Sequence, residues 1–290
     1  MPVGQFVARL GIPRSTWYHW RGAHLRGREV NRWPAPIVDP LEAVAANQAH
    51  QWSAWGHRKI WAMLAADGVH ASKSSVYRAL KRRDLLQPAR YQAERRAWAA
   101  ARKAAFLVAP TQRNRVWQTD FTRIEISSGS VWWIAPVTDY YAKVVLAAHV
   151  STRIAGRDAI DSIEAAVESA ETILGYSLLE DCTNHDTGEI TPVIIVTDNG
   201  AAYKSTDFAR FIASKPELQH VRTRHYAPET NGVVERFNQS LKYEHLYRHD
   251  ISNGQELNDR VEEYIMIYNT IRPHEALNFG TPIQAYKIKD

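Results

Sequence analysis

The sequence predicts an α/β protein, a mixed β-sheet flanked by helices and preceded by all-α segments. Three observations predict it. Residues 1–88 carry apolar side chains at helical spacing, residues 116–151 hold three β-branched and aromatic runs joined by short turns, and from 155 onward helices alternate with strands. With 290 residues, 45% of them apolar, the chain can bury the cores of two or three domains, which excludes a disordered or fibrous protein.

The elements follow in order. In VGQFVARL (3–10), Val3, Phe6, Val7 and Leu10 share a helical face, Gly11 breaks the run, and Ser15 is placed to cap a second helix. Residues 26–40 (RGREVNRWPAPIVDP) are proline-rich without periodicity and read as a linker. In a second helix pair Ile60, Trp61 and Leu64 form one apolar face, a turn falls at 67–69, and Ser72 precedes a helix carrying Val76, Tyr77 and Leu80. Its exposed side ends in Lys81, Arg82 and Arg83. Two readings stand for these pairs: helix-turn-helix units that put the second helix in a DNA groove, or a small helical bundle with a solvated basic face. Residues 90–115 read as a basic, alanine-rich helical connector ending at Pro110.

Beyond the connector the period changes from helix to strand. VWQTDFTRIEI (116–126), VWWIAPVTDY (131–140) and KVVLAAHVS (143–151) predict a three-strand meander. A helix over about 155–175, the apolar strand 192–198, a helix near 205–214, a short strand at 220–224 and helices over about 231–248 and 255–271 follow. Three antiparallel strands and then strand–helix alternation give a mixed sheet of ribonuclease H-like type.

Charge divides the chain in two. Residues 1–114 hold 19 Lys and Arg against 6 Asp and Glu, a local +13; the remainder holds 17 against 25, or −8, so the net +5 is an average of unlike halves. The basic half fits a polyanionic partner. A single cysteine, Cys182, excludes a disulfide framework and a Cys-rich zinc module and fits a reducing, cytoplasmic setting. No apolar run approaches the roughly 20 residues of a membrane span, and no export signal is evident.

Three carboxylates stand where a strand or helix presents them without an evident structural reason. Asp120 interrupts a central strand, on the face of Gln118 and Thr122 and opposite Trp117, Thr119 and Phe121. Asp198 ends the apolar strand VIIVTD, where open α/β sheets place ligands. Glu235 lies on the amphipathic helix NGVVERFNQSLK, whose buried face is Val234, Phe237 and Leu241 and whose other side carries Gln239, Lys242 and Leu246. Pooled, they make an oxygen-only site suited to Mg²⁺ or Mn²⁺, and two such ions about 4 Å apart serve in-line displacement at a phosphodiester. Asp139, Asp207, Glu229 and Glu244 read as structural or capping. His245 and His249, at i and i+4, are a ligand pair without further ligands, or solvated helix histidines.

The segments WQTDFT, VTDNGAAYKS and HYAPETNGVVERFNQSLKYE resemble the catalytic core of bacterial insertion-sequence transposases of the OrfB type, the DDE group that shares the retroviral-integrase core. The similarity extends upstream to WGHRKIWAMLAADGVHASKSSVYRALKRRDLL and downstream to RPHEALNFGTPIQAY, covering most of residues 50–285. It implies that Asp120, Asp198 and Glu235 are the metal-binding, catalytic triad, separated by 78 and 37 positions. The second interval is one longer than the family's commonest, and the extra residue fits the loop at 213–220. Unlike retroviral integrases, the chain lacks the cysteines of a His/Cys zinc module. The implied plan is a helix-turn-helix at 1–25, linker 26–40, second helix-turn-helix 41–88, basic connector 89–111, integrase-like core 112–250, and C-terminal helix and tail 251–290.

The resemblance further implies an enzyme that uses one or, more fittingly, two Mg²⁺ or Mn²⁺ ions. Water would hydrolyse a phosphodiester at a mobile-element end, and the freed 3′-hydroxyl would attack target DNA. Its partners would be double-stranded DNA, both terminal repeats and target, a further copy of itself on DNA, and a protein of an upstream reading frame; no membrane is expected. Lys242 is placed against the DNA end or is an ordinary exposed lysine; Arg222 and Arg224 touch phosphates or only solubilise an edge strand. Gln239, Asn199, Arg58, Lys59, Lys81, Arg82 and Arg83 complete the expected DNA contacts. The loop HYAPETNG at 225–232 is placed to close on DNA. A catalytically inactive DNA-binding regulator and a ribonuclease H-like nuclease are the competing functions.

Overall fold

The computed structural model describes residues 3–27, 39–86, 110–222 and 232–288. The linker at 28–38, the connector at 87–109 and the loop at 223–231, with Arg224 and Glu229, lie outside the described residues. At the N-terminus α1 (Val3–Arg9) and α2 (Arg14–Leu25) form a helical hairpin. Ser15 does not cap it. Pro13 occupies the cap position of α2, with no side-chain cap bond, so Ser15 falls inside the first turn.

The next unit has three helices, α3 (Pro40–Gln51), α4 (His57–Ala66) and α5 (Lys73–Arg82), around Ala45, Ile60, Leu64, Val76 and Leu80. Asp39 caps α3 by accepting from the Leu41 N–H at 3.1 Å, and Ser72 caps α5 through the Ser75 N–H at 3.0 Å. Sequence periodicity finds α4 and α5 but not α3, whose buried apolar side is alanine and gives little contrast. Tyr77, expected on the apolar face, is 40% exposed.

The sheet is built from β1 (Val116–Thr119), β2 (Thr122–Glu125), β3 (Val131–Asp139), β4 (Val145–Ser151), β5 (Val193–Thr197) and β6 (Leu218–Arg222). The first two are one strand in the sheet: Thr119 pairs with Val137 and Thr122 with Ile134, the same antiparallel register on β3. The ladder breaks where that register sets Asp120 opposite Pro136, which has no N–H to give. Spatially the order is β4, β3, β1/β2, β5, β6, with the first three antiparallel and β1, β5 and β6 parallel. This is the ribonuclease H-like arrangement that the sequence predicts.

Helices cover both faces. On one, α6 (Gly156–Leu174), α7 (Leu178–Cys182), α8 (Thr206–Ala213) and α11 (Pro282–Lys287) enclose Trp117, Val137, Ile163, Ile195, Phe208 and Tyr286. On the other, α9 (Gly232–Ser240) and α10 (Gly254–Thr270) enclose Ile124, Ile134, Val145, Phe237, Leu257 and Tyr264. Between them α9 runs into a π turn at Leu241–His245 and a 3-10 turn at Leu246–Arg248. The wider turn shifts the helical phase, so Leu246 is 2% exposed in the second core rather than on the outer side with Lys242. His245 is likewise buried, stacked on Tyr264 with ring centroids 5.3 Å apart, not solvated. Ile267 of α10 and Ile271 just after it also pack against the three-helix unit, so the two units share a boundary. Among the described residues, no helix is long and apolar enough to cross a membrane.

A carboxylate site at the strand ends and a candidate nucleic-acid interface

Parallel pairing places the first two carboxylates. Val116 pairs with Ile194, Trp117 with Ile195 and Gln118 with Val196, so each β1 residue lies beside one numbered 78 higher on β5. Asp120 and Asp198 differ by the same 78, and the register carried on by two positions sets them side by side where both strands run out. Strands about 4.8 Å apart bring those carboxylates to one end and one face of the sheet. The Asp198 Oδ1 accepts from the Gly200 N–H at 2.8 Å, a local bond that fixes the turn after β5. Beneath lies Tyr203, buried, its hydroxyl 3.2 Å from the Thr119 hydroxyl.

The third carboxylate arrives on α9, packed over the face to which Gln118 and Asp120 point. Val234, Phe237 and Leu241 are buried, as the amphipathic pattern requires, which leaves Glu235 half-buried beside the strands. Burial, and then the charges of Asp198 and Glu235, push the Asp120 carboxyl up to about 7. The three are therefore electrostatic neighbours. Among the described residues, however, no three His, Cys, Asp or Glu side chains close to the spacing of a shared ion. The donor set nevertheless suits a hard divalent cation: it is all oxygen, with Asp120 and Glu235 half-buried and Asp198 exposed, and like charge crowded around Asp120 is what such a cation neutralises.

Lys242 is half-buried next to this site. Burial and Arg123 lower its affinity for a proton, while Asp120 works in the opposite sense. Gln239 accepts from the Arg236 guanidinium at 3.2 Å, Asn199 follows Asp198 in the turn, and Arg222 is exposed at the end of the edge strand β6. Gln239 and Asn199 are half-buried.

The basic residues of the helical unit divide differently from expectation. Lys59 is 8% exposed, and its ammonium sits 2.9 Å from the Glu244 carboxylate, so it faces inward and is no phosphate contact. Arg82 is held by Glu42 and by Asp39, Arg83 by Glu42 at 3.2 Å, and Arg58 by Glu275 at 3.0 Å. Lys81 stays exposed on α5, joined at helical spacing by Ser74, Tyr77 and Arg78. Arg78, three residues before Lys81 and so on the same helix face, is a further exposed cation there.

Glu244 is more than a cap. From the π turn it accepts from Lys59 and Trp55 of the helical unit, from the Tyr264 hydroxyl at 2.9 Å, and from the Arg272 guanidinium at 2.7 and 2.8 Å. Burial alone would raise its pKa; Arg272 and Lys59 instead hold the carboxylate well below its usual range. The tail adds a second clasp. Phe279 meets Trp61 edge-on, with ring centroids 5.3 Å apart, and the Lys73 ammonium lies 4.7 Å from the Phe279 ring. To make that contact Asn278 and Phe279 both take left-handed backbone, at φ 52 and 67.

These features coincide with relationships to known proteins. The integrase core domain family matches residues 217–282 and, through a second description of the same domain, residues 110–228. Together the two matches span residues 110–282, and curated proteins similar to this chain are named as insertion-sequence transposases. It is 28% identical to the putative transposase for insertion sequence element IS986/IS6110 of Mycobacterium tuberculosis (strain CDC 1551 / Oshkosh), over 70% of this chain and 68% of that one. It is 27% identical to the putative integrase ORF3 of Spiroplasma virus SpV1-C74 over 46% of this chain, and spans only 36% of that protein's length. Among solved structures, the HTLV-2 integrase catalytic core in complex with magnesium is similar at a TM-score of 0.42 and 20% identity, over 60% of this chain and 97% of that one.

Proposed function

We propose that the chain cuts a phosphodiester at the end of a mobile DNA element and joins the freed 3′-hydroxyl to target DNA. The observation that carries this reading is the shared offset of 78 residues between paired strands and between Asp120 and Asp198, with Glu235 brought over the same face. In this reading Asp120, Asp198 and Glu235 hold Mg²⁺ or Mn²⁺, two ions in all. When bound, the ions supply charge neutralisation and activation of oxygen at the scissile phosphate. Lys242, half-buried beside Asp120, draws a phosphate oxygen toward the carboxylates.

Both steps are displacements at phosphorus. In the first, water adds and the 3′-oxygen leaves with a proton; in the second, that 3′-hydroxyl attacks a target phosphodiester, and a target 3′-oxygen departs. End recognition belongs to the exposed face of α5, with Tyr77, Arg78 and Lys81, and two ends require at least two copies of the chain on DNA. The setting is cytoplasmic, at the nucleoid.

Labelled candidate ends, a plasmid target and Mg²⁺ in one reaction test the reading. Asp120→Asn, Asp198→Asn and Glu235→Gln are each expected to abolish cutting and joining, a loss of 10³-fold or more by analogy with other essential groups, while end binding in a gel persists. Full activity in any one of them would falsify the triad. Binding without nicking by the unsubstituted protein would indicate an inactive regulator, and nicking without joining a nuclease.

A further inference from the structure

We propose that Gln118 is a positioning residue, which sets the reach of Glu235 toward Asp120 and Asp198 by holding the first turn of α9. The inference rests on the metal-site reading above and assigns a role to a residue outside the triad. Gln118 is fully buried in β1, two positions before Asp120 and on the same face of the strand. Its Oε1 accepts from the Val233 N–H at 2.9 Å and from the Val234 N–H at 3.4 Å. These are first-turn donors, which a helix cannot satisfy from within itself.

Helix caps are usually supplied by a residue just ahead of the helix. Here the acceptor comes from a strand 115 residues earlier in the chain. Glu235 is the very next residue after Val234. A turn or slide of α9 over the sheet therefore either breaks the bonds to Gln118 or leaves Glu235 where it was. One side chain thus ties the backbone that bears Glu235 to the strand that bears Asp120.

The chemistry of the side chain fits this task. A buried amide is costly unless hydrogen-bonded, so an apolar residue would serve packing alone at least as well. Asparagine has the same amide on an arm one methylene shorter, too short by roughly 1.5 Å, about one carbon–carbon bond. Glutamate would reach, but would add a fourth carboxylate to a site where Asp120 already feels two others. A neutral acceptor of this length caps the helix without competing for the cation.

The test uses Gln118→Met, which keeps the shape and loses the acceptor, and Gln118→Asn, which shortens the arm. For each, the Mn²⁺ concentration at half of the metal-induced rise in Tm is measured beside that for half-maximal cleavage. Both midpoints are expected to rise 10- to 100-fold, as when other residues that orient a metal ligand are removed. End binding should not change, and excess Mn²⁺ should restore cleavage; the cleavage midpoints of both variants are read well below the metal-free Tm, where a fold merely loosened stays folded and keeps the wild-type midpoint. Wild-type midpoints in a folded variant overturn the proposal. Should both variants fail to fold, amide exchange in the unsubstituted protein decides: slow exchange at Val233 and Val234 is expected, and fast exchange refutes the bond. Persistent cleavage by Asp120→Asn would instead overturn the metal reading itself, so the two failures are distinguishable.

Discussion

At the scale of single residues, burial and neighbouring charge decide what each polar group does. Asp198 and Glu235 both act to repel the Asp120 carboxylate in the metal-free protein, so removing the Asp120 charge should stabilise the fold while destroying activity. Asp120→Asn is expected to raise the metal-free Tm by a few degrees at pH 8, roughly 1 kcal/mol, and to lose the further rise that Mn²⁺ gives the parent; a lower Tm would contradict the crowding. His274 is the opposite case. It is buried, its Nε2 lies 3.0 Å from the Tyr268 carbonyl oxygen, and burial followed by Arg272 pushes its pKa down to about 3. The unfolded chain takes up the proton near pH 6.5 and the folded one only near 3, so His274 stabilises the fold above pH 6.5 and this is lost as pH falls toward 3. Urea unfolding at pH 6 and pH 5 should show the parent losing about 1 kcal/mol more than His274→Gln; parallel curves would refute it. The carboxylates were legible in sequence because a charge inside an apolar strand has few cheap explanations. The inward turn of Lys59 was not, because its partner Glu244 lies 185 residues away.

At the scale of elements, β-branched, aromatic and apolar runs located the strands of the sheet, with β6 placed two residues too late, but the path of the helix that bears Glu235 was hidden. A 3.6-residue period carried from Val234 onward puts Leu246 outside; the π turn at 241–245 puts it inside and turns Glu244 toward the helical unit. A one-residue change of phase leaves no mark in a pattern whose apolar residues fit either reading. Helix α3 escaped for a related reason, since alanines bury without contrast. The prediction at this scale concerns the junction. Glu244→Gln leaves Arg272 and Lys59 buried without their counter-charge, and is expected to cost about 3–5 kcal/mol in chemical denaturation. The loss should hardly depend on salt, because both sides of the pair are shielded from solvent; a cost under 1 kcal/mol would show the junction to be ornamental.

At the scale of the whole molecule, the +13 of residues 1–114 was legible as a partner signal, yet it does not translate residue by residue into contacts. Arg58, Arg82 and Arg83 are already matched to carboxylates. Binding of a terminal repeat should weaken linearly in log salt, and Arg78→Ala and Lys81→Ala should each lower the slope by about 1. Lys59→Met should leave the slope unchanged while lowering stability. A salt response untouched by Arg78 and Lys81 would move the DNA to another face.

The clasp between Glu244 and the helical unit bears on any attempt to exchange that unit between related proteins. A cut placed in the connector would graft α3 to α5 of one protein onto the core of another and strand Glu244 opposite foreign side chains. Trp55, Lys59 and Trp61 would have to travel with Glu244 and Phe279, and with the Arg272 that binds Glu244, as a single cassette gathered from three stretches of the chain. Modularity here follows the hydrogen-bonded surface and not the order of the sequence.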